Sequence, residues 1–428
     1  MREMKDSGVP WIGEIPKEWE VAPLWRTLRR RTEIGHPEEV VLSLYRDLGI
    51  VPKDSREDNH NVTSLDTSAY KFVRVGDFVI NKMKAWQGSM AVSAYQGIVS
   101  PAYHVCEFIS GRVNPRYLHY LLRNPSYLPE YGRLSSGLRI GQWDLSYDDF
   151  KNIPHIIPSL KEQQRIVDFL NNKCAEIESI LEKTRASIEE YKKLKQSVIT
   201  EAVTKGIRGD RKMKDSGVEW IGEIPEEWKL NRLKSVLSLL TDGTHQTPNY
   251  IEEGVPFLSI KDISSGKIDF SDVKFISEAE HVQLSKHANV EKGDVLFTRI
   301  GTLGVFVKVD TERVFDIFVS LGLMKIRQEM VNTDYLVYYL SSNCVLNYIN
   351  QVKAGGGTSA AKFNLGDVAK TWIVLPKENE QQEIAAYLDE KCAAIDSLIA
   401  SKEALITELE SYKKSIIYEY VTGKKEVL

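Results

Sequence analysis

The residues of this chain best suited to chemistry are hydrogen-bonding and cationic side chains grouped in loops. The stretch Asp242-Gly-Thr-His-Gln-Thr, which includes Thr244 and His245, is a turn dense in short donors and acceptors. Such a turn suits close approach to a polar ligand such as a base edge or a phosphate. An ordinary surface turn has the same composition, so both interpretations stay open.

A second group of candidates follows an apolar run in each half of the chain. In the second half the run ends at Thr298-Arg299, with Thr302 close behind; the corresponding place in the first half holds Asn81-Lys-Met-Lys-Ala-Trp-Gln87. Arg and Lys can bind phosphates or read guanine, and Gln can read adenine. Ordinary surface charge is the alternative.

Two further loops combine small residues with cations. Ala354-Gly-Gly-Gly-Thr-Ser359, flanked by Lys353 and Lys362, matches Ser135-Ser-Gly-Leu-Arg139. Their backbone amides and cations suit a run of phosphates, although flexible connection is equally possible. Together the candidate nucleic-acid contacts are Lys82, Lys84, Trp86, Gln87, Arg133, Arg139, Asp242, Thr244, His245, Thr298, Arg299, Thr302, Lys353, Thr358 and Lys362.

No catalytic motif accompanies these loops. The sequence contains no P-loop, GxGxxG, HExxH or GxSxG pattern. Asn124-Pro-Ser-Tyr127 approaches the Asn-Pro-Pro-Tyr of amino-methyltransferases, but it lacks the second proline, and no glycine-rich cofactor-binding turn precedes it. We therefore expect no catalytic residue, no metal and no cofactor in this chain.

Charge is unevenly placed along the sequence. The formal net charge is −4, which argues against a general polycation that binds any acid. Between Lys71 and Arg139, however, nine Lys and Arg stand against three acids. This local excess is a candidate electrostatic footprint for nucleic acid, and a solvated basic surface is the alternative.

Composition also limits the cellular setting. The first residues carry no apolar segment typical of a signal peptide, and no window approaches about 18 consecutive apolar residues. The four cysteines, Cys106, Cys174, Cys344 and Cys392, have no CxxC or Cys/His spacing. We expect reduced, buried thiols, no membrane span and a cytoplasmic protein.

A long repeat organises the chain. The stretch MKDSGVPWIGEIPKEW begins at Met4, and MKDSGVEWIGEIPEEW begins at Met213, 209 residues later. Two tryptophans around a glycine and a proline predict a loop-like segment that packs on an apolar surface. We call residues 1–19 and 207–228 the clamp segments. Since similar sequences, Glu-x-Val-Thr, precede the second clamp and close the chain, we expect the first clamp to dock near the C-terminal helix.

Two long segments, 160–206 and 377–428, have the alternating spacing of three and four residues typical of a coiled coil. The first predicts a helical rod of about 65 Å. Lys195 and Lys413 are polar at equivalent seam positions and can fix register. Because long globular segments separate the two helices, we expect antiparallel pairing. The seam residues are Leu170, Ile177, Leu181, Ile188, Tyr191 and Val198, and, 218 residues further on, Leu388, Ile395, Ile399, Ile406, Leu409 and Ile416.

The remaining segments, 20–159 and 229–376, have mixed patterns of short strands, turns and helices. In the first we expect a strand, a turn and a strand over 71–80, a helix over 113–123 and a final strand over 149–158. The second is similar but has different loops. The predicted fold class is α+β: two globular α/β domains separated by two long helices that form an antiparallel coiled coil, with a tandem repeat and pseudo-twofold symmetry.

In this order and in duplicate, these motifs resemble the specificity subunit of type I restriction-modification systems, the HsdS family. The resemblance covers nearly the whole chain. It rests on the WIGEIPxxW openings, on the starts of the long helices, Glu162-Gln-Gln-Arg-Ile and Glu380-Gln-Gln-Glu-Ile, and on DGTH and GDVLFTRxGTxG in the second half. The first half departs from the family pattern because it has no DGTH-type turn.

The resemblance implies two target-recognition domains that each read half of a bipartite duplex DNA sequence, with helical spacers that dock two methyltransferase (modification) subunits. Two restriction/translocase subunits would join them, and S-adenosylmethionine, ATP and magnesium would be bound by the partners. Different loops on one scaffold predict two unlike half-sites. Two other functions stay open: a structural coiled-coil adaptor without a DNA role, and a stand-alone DNA methyltransferase or nuclease.

Overall fold

The computed structural model describes residues 2–46, 48–55, 64, 66–137, 143–355 and 360–427. The chain forms two compact units: unit 1 comprises Met1–Thr184 with Glu403–Leu428, and unit 2 comprises Arg185–Lys402. Both boundaries fall inside the long helical segments, so each unit contains a part of each long helix.

Unit 1 holds a domain of short strands and helices. Its strands are β1 (Met4–Asp6), β2 (Glu14–Pro16), β3 (Glu20–Pro23), β4 (Leu28–Arg31), β5 (Leu42–Tyr45), β6 (Gly49–Pro52), β7 (Lys71–Val73), β8 (Phe78–Asn81), β9 (Met90–Val92), β10 (Gly97–Val99), β11 (Tyr103–Phe108), β12 (Ser135–Ser136), β13 (Asp144–Leu145) and β14 (Pro154–Ile157). Its short helices are α1 (Pro115–Leu122), α2 (Leu128–Leu134) and α3 (Tyr147–Phe150), and the long helix α4 spans Leu160–Lys205. The main sheet is antiparallel in the order β4-β11-β8-β9, and β3 pairs with β14.

Unit 2 repeats this design with additions. Its strands are β15 (Met213–Asp215), β16 (Glu223–Pro225), β17 (Lys229–Arg232), β18 (Leu237–Asp242), β19 (Val255–Leu258), β20 (Lys274–Ile276), β21 (Val295–Thr298), β22 (Phe306–Lys308), β23 (Asp316–Ile317), β24 (Leu321–Ile326) and β25 (Trp372–Leu375). Its helices are α5 (Glu278–Ala288), α6 (Thr333–Leu340), α7 (Asn343–Val352) and α8 (Leu365–Lys370), and the long helix α9 spans Glu378–Val421. The main sheet, β18-β24-β21-β22, has the same order as in unit 1, whereas the sheet β20-β19-β23 contains a parallel pair.

One local prediction for the first half needs correction. The expected strand over 149–158 is in fact the end of α3 followed by β14, which begins only at Pro154. Ser146 caps α3 by accepting from the backbone of Asp149, which favours a helical turn there. The predicted strand, turn and strand over 71–80 are confirmed as β7, a turn and β8. The two strands lie in different sheets, because β7 pairs with β10 while β8 pairs with β11 and β9. The predicted helix over 113–123 is confirmed as α1, with Asn114 as its cap.

In unit 1 the long helices run antiparallel, as predicted. The rings of Phe169 and Tyr420 lie 4.3 Å apart, and further along α4 the ammonium of Lys413 donates to Glu178. Residue numbers therefore rise on α4 as they fall on α9. The seam lysine Lys413 meets an acid of the other helix, which favours this register over a shifted one.

In unit 2 the helices are also antiparallel. The ammonium of Lys402 lies 5.6 Å from the ring centre of Tyr191, and Nζ of Lys195 donates to both carboxylate oxygens of Asp396 at 2.7 Å. Asp396 occupies the position equivalent to Glu178, 218 residues further on. Each seam lysine thus has a matched acid within its own unit.

The predicted seam positions lie on the less exposed side of each helix. Leu170, Ile177, Leu181, Ile188, Leu388, Ile395 and Ile416 are buried, and Tyr191, Val198, Ile399, Ile406 and Leu409 are half-buried. Near the end of α4 the neighbouring Ile199 is buried as well, since it packs into the core of unit 2. The helix therefore buries a wider face where the globular domain meets it.

The first clamp segment packs on the ends of both long helices in unit 1. The indole N–H of Trp19, a fully buried residue, donates to Glu162 at 3.0 Å, and Arg2 donates to the same carboxylate at 2.5 and 2.9 Å. This hydrogen bond raises the pKa of the Arg2 guanidinium. Lys424 donates to the backbone of Glu14, which confirms that the clamp docks near the C-terminal helix.

The second clamp segment repeats this contact in unit 2. Nε1 of the buried Trp228 donates to Glu380 at 3.0 Å, and Arg211 donates to the other oxygen of that carboxylate. The hydrogen bond to Glu380 raises the pKa of Arg211. Both copies of the repeated sequence therefore serve one purpose, which is to hold the first turn of a long helix.

The glutamine after each of these acids joins the globular domain to the helix. Gln163 accepts from the backbone N–H of Asn114 at 2.7 Å and donates to Pro158 at 2.8 Å. The hydroxyl of Tyr117, on α1, donates to the last residue of α9, Val421, at 3.0 Å. The same bonds recur in unit 2 through Gln381, Asn332, Pro376, Tyr335 and Val203.

Two further properties concern the chain as a whole. No helix in the described ranges is long and apolar enough to cross a membrane. All four cysteines are free thiols in buried positions. Burial raises the pKa of the Cys106 thiol to about 12, so this group is a packing residue rather than a nucleophile.

We predict that Trp228→Ala lowers the free energy of unfolding by about 3–5 kcal/mol, because a large buried ring and its bond to Glu380 are lost. Trp25→Ala is the matched control, since Trp25 is 48% exposed, and its effect should stay within about 0.5 kcal/mol. Urea unfolding followed by circular dichroism measures both. Equal losses in the two variants would contradict the clamp's role.

Candidate nucleic-acid interface

In unit 2 the two predicted loops meet. Ile300, in the loop after β21, bridges Lys362, and the backbone N–H of Gly301 donates to Ala361 at 2.8 Å. The segment before α8 therefore runs beside Arg299 and Thr302. Lys362 and Lys353 are exposed on this segment. Thr358 lies outside the described residues.

Unit 1 has the corresponding arrangement. Residues Lys82–Gln87 form a 3-10 helix after β8, in the same sheet position as the loop after β21. Lys82 donates to Asp144 of β13 at 2.6 Å, and the indole of Trp86 stands edge-on to Trp143 at 5.6 Å. Lys84 is exposed and Gln87 is half-buried.

Arg133 and Lys71 are two further cations of unit 1. Arg133, on α2, donates to both oxygens of Glu130 at 2.7 Å, so its charge is already paired. Lys71 donates to the backbone of Tyr103 at 2.6 Å, and burial together with the nearby cation Lys82 lowers the pKa of Lys71. Arg139 lies outside the described residues.

The turn that follows β18 is tied to the loop after β21 through a carboxylate. Nη1 of Arg299 donates to Oδ2 of Asp242, and Nε2 of His245 lies 3.1 Å from the same oxygen. Nε2 of His287, on α5, lies 3.9 Å from Oδ1. Three predicted site residues and one unpredicted residue thus form one cluster, although 57 positions separate Asp242 from Arg299.

Close backbone contacts fix the turn itself. Gly243 approaches β23 so closely that a Cβ there would meet the carbonyl oxygen of Ile317 at 2.1 Å. Thr244 donates its N–H to the same carbonyl at 3.1 Å and accepts from Val319 at 3.0 Å. Thr298 is fully buried, and its hydroxyl accepts from the N–H of Val305. The Thr298 side chain therefore holds the loop and does not face solvent.

A cleft of about 290 Å³ lies between this turn and α5. Its rim carries His245, Gln246, Gln283 and His287, and its floor includes Ile317. Sequence reasoning missed α5. Its signals were present: Ser277 and Glu280 at capping-box spacing, and polar Gln283 and His287 four positions apart on one helix face.

A second carboxylate holds α5 in place. Nδ1 of His281 lies 2.7 Å from Oδ2 of Asp316, which is buried beneath the cleft. Burial raises the pKa of Asp316, and the bond to His281 opposes that shift. Within the described residues, no group of three or more His, Cys, Asp or Glu is placed to hold a metal ion. The surface offers hydrogen-bond donors, acceptors and cations, which is the chemistry of binding.

A family model described as "Type I restriction modification DNA specificity domain" matches residues 43–190 and 225–411. The MjaVIII type I restriction enzyme specificity subunit of Methanocaldococcus jannaschii is 25% identical over 376 residues, which cover 85% of this chain and 84% of that protein. The EcoKI specificity subunit of Escherichia coli K12 is 23% identical over 465 residues, which cover 96% of this chain and 90% of that protein.

Solved structures share the fold. One, described as the structural basis of complex assembly and conformational transition of the type I R-M system, has a TM-score of 0.71 at 17% identity and covers 96% of this chain and 99% of its own. The HsdS subunit from Thermoanaerobacter tengcongensis has a TM-score of 0.51 at 17% identity, with coverage of 96% and 98%.

We predict that Gly243→Ala lowers the unfolding free energy by about 1–3 kcal/mol, because the added methyl group overlaps the backbone of β23. Gly209→Ala is the control, since a Cβ at Gly209 meets nothing within 4 Å. Thermal melts of the two variants measure the difference. A Gly243→Ala protein as stable as the control would show that the turn is not held against β23.

Proposed function

Because the chain belongs to the family of type I restriction-modification DNA specificity domains, we propose that each unit reads one half of a bipartite duplex DNA target. The chain is a specificity subunit, the non-catalytic component that supplies sequence recognition to such a system. The recognition domains are residues 20–159 and 229–376, and the clamp segments and long helices form the frame that carries them.

One observation supports two unlike half-sites. The two main sheets have the same strand order, and β8 and β21 occupy the same place in that order. The elements that follow these two strands differ. After β8 it is the 3-10 helix Lys82–Gln87, and after β21 it is the loop with Arg299 and Thr302. Unit 2 also has the Asp242 turn and α5. Identical scaffolds with different contact groups select different bases.

Charge pairing limits binding to arbitrary DNA. Lys82, Arg133 and Arg299 each donate to a carboxylate of their own unit. DNA phosphates must compete with these acids, so each such cation contributes less to sequence-independent binding than a free cation. Lys84 and Lys362 are exposed and supply the less restricted charge. Specific base contacts then account for a larger share of the affinity.

The long helices carry exposed apolar side chains beside the seam. They include Ile180 and Tyr412 in unit 1, and Leu194 and Leu398 in unit 2. Position 398 is equivalent to 180, and 412 to 194, at the spacing of 218 residues that relates the two helices. Exposed apolar residues aligned on a coiled coil suit the apolar face of a partner helix.

These two equivalent surfaces support docking of two methyltransferase subunits, one on each unit. Two restriction/translocase subunits would complete the assembly. S-adenosylmethionine, ATP and magnesium belong to those partners, since the chemistry on this chain is binding. The complex would work in the cytoplasm, where its DNA target is found.

We predict that Arg299→Ala weakens binding to the target duplex and lowers the slope of log affinity against log salt by about one unit if the guanidinium meets phosphate. If it reads a base, one position of one half-site is relaxed instead. Lys308→Ala is the control, because Lys308 pairs with Asp334 at the other end of the β21–β22 hairpin. If the Arg299→Ala protein matches the Lys308→Ala protein in DNA affinity, in salt slope and in base preference, Arg299 does not belong to the site.

We predict that Leu194→Glu with Leu398→Glu reduces methyltransferase affinity at unit 2 by about tenfold or more, because a charge replaces apolar contact at a buried interface. The complex should then retain one methyltransferase subunit in native mass spectrometry. Ala186→Glu with Ser397→Glu adds the same two charges at exposed positions of α4 and α9 away from the apolar line and should retain two. A full complex formed by the double variant would contradict docking on this surface.

A further inference from the structure

The carboxylate of Asp242 has an unusual position at the meeting point of three elements. It ends β18, and its side chain is only 10% exposed. Oδ2 accepts from Nη1 of Arg299 and lies 3.1 Å from Nε2 of His245. Arg299 is itself nearly buried, whereas the His245 side chain is 70% exposed. The buried acid therefore has one buried partner, Arg299, and two exposed imidazoles near it, since His287 also approaches Oδ1 at 3.9 Å.

A carboxylate can only accept a hydrogen bond, so the contact with Asp242 places a proton on Nε2 of His245. In the tautomer that carries this proton on Nε2, Nδ1 has a lone pair. Arg299 already balances the charge of Asp242, so the pair requires no second cation beside it. None of the hydrogen bonds among the described residues uses Nδ1 of His245, and His245 lines the cleft.

The lone pair on Nδ1 of His245 determines which ligand groups this residue can bind. It repels phosphate oxygens and accepts from an N–H group. In the major groove of DNA, the exocyclic amino groups are adenine N6 and cytosine N4. Gln246 and Gln283, on the same rim, can bind the neighbouring edge groups, and the floor at Ile317 is apolar.

The imidazole is also held in position before any ligand arrives. Gly243 and Thr244 hold the turn against Ile317. The carboxylate of Asp242 holds the imidazole of His245 through its contact with Nε2. A preorganised acceptor discriminates better than a mobile one, because less conformational entropy is lost when it binds.

We propose that Asp242 is a positioning residue that sets the hydrogen-bond polarity of His245, so that His245 presents an acceptor to an exocyclic amino group in the half-site read by unit 2. The proposal rests on the proposed function. It assigns to Asp242 an effect exerted through His245 rather than direct contact with DNA.

The test uses the full-length chain with its methyltransferase subunits at about pH 8, where imidazole is neutral. Competing duplexes carry the methylation target, a scrambled target, or the target with one adenine or cytosine replaced by an analogue that lacks the amino group. We expect wild type to lose about tenfold or more in affinity at one such replacement. The His245→Ala protein should bind the target with that replacement as tightly as the unmodified target. It should still discriminate between bases at other positions.

Variants of Asp242 separate positioning from support of the fold. The Asp242→Ala protein should lose the preference for the target over the duplex without the amino group. The double variant Asp242→Ala with His245→Ala should show no further loss of that preference. Asp242→Asn should restore it, since the amide oxygen can accept from both Arg299 and His245. Asp294→Ala is the control: it removes a buried acid paired with Lys325 at 3.0 Å and should retain discrimination.

The outcomes are distinct. If His245→Ala discriminates as wild type does, the inference is overturned, even if Asp242→Ala fails to fold. If Asp242→Ala folds and keeps the discrimination, Asp242 has no positioning role. If wild type does not prefer the methylation target over the scrambled duplex, the proposed function itself fails.

Discussion

The structure depends on a glutamate at the first turn of each long helix: Glu380 is buried and Glu162 is half-buried. Glu162 and Glu380 each accept from the indole of a clamp tryptophan and from an arginine. A buried carboxylate without partners would cost several kcal/mol, so the acid and its clamp require each other. This mutual requirement explains why the chain contains the WIGEIP stretch twice: each long helix needs its own clamp.

The frame then controls register by similar means. Lys195 and Lys413 are polar residues in largely apolar seams, and each meets an acid of the other helix. Such exposed pairs add little stability, about 0–1 kcal/mol each, but a shifted register would leave the lysine against apolar side chains. Gln163 and Gln381 bind the globular domain of each unit to a long helix, so these residues join the contact loops to the frame.

Features with a regular period could be predicted from the sequence. The doubled clamp, the long helices and their antiparallel pairing depend on spacing, which is visible without coordinates. The cluster at Asp242 could not be predicted, since it joins residues from separate elements, and neither the pairing of Arg299 nor the approach of His287 follows from local pattern. Burial of Thr298 was missed for the same reason: its exposure depends on how the following loop folds back.

The central claim is that a repeated frame carries two different reading surfaces. It is tested most directly by mapping methylated bases across the genome of cells that contain this subunit and its methyltransferase. We expect one split motif with two unlike half-sites separated by a gap of constant length, because the two units carry different contact loops. A continuous motif, or a palindrome with identical halves, would contradict it.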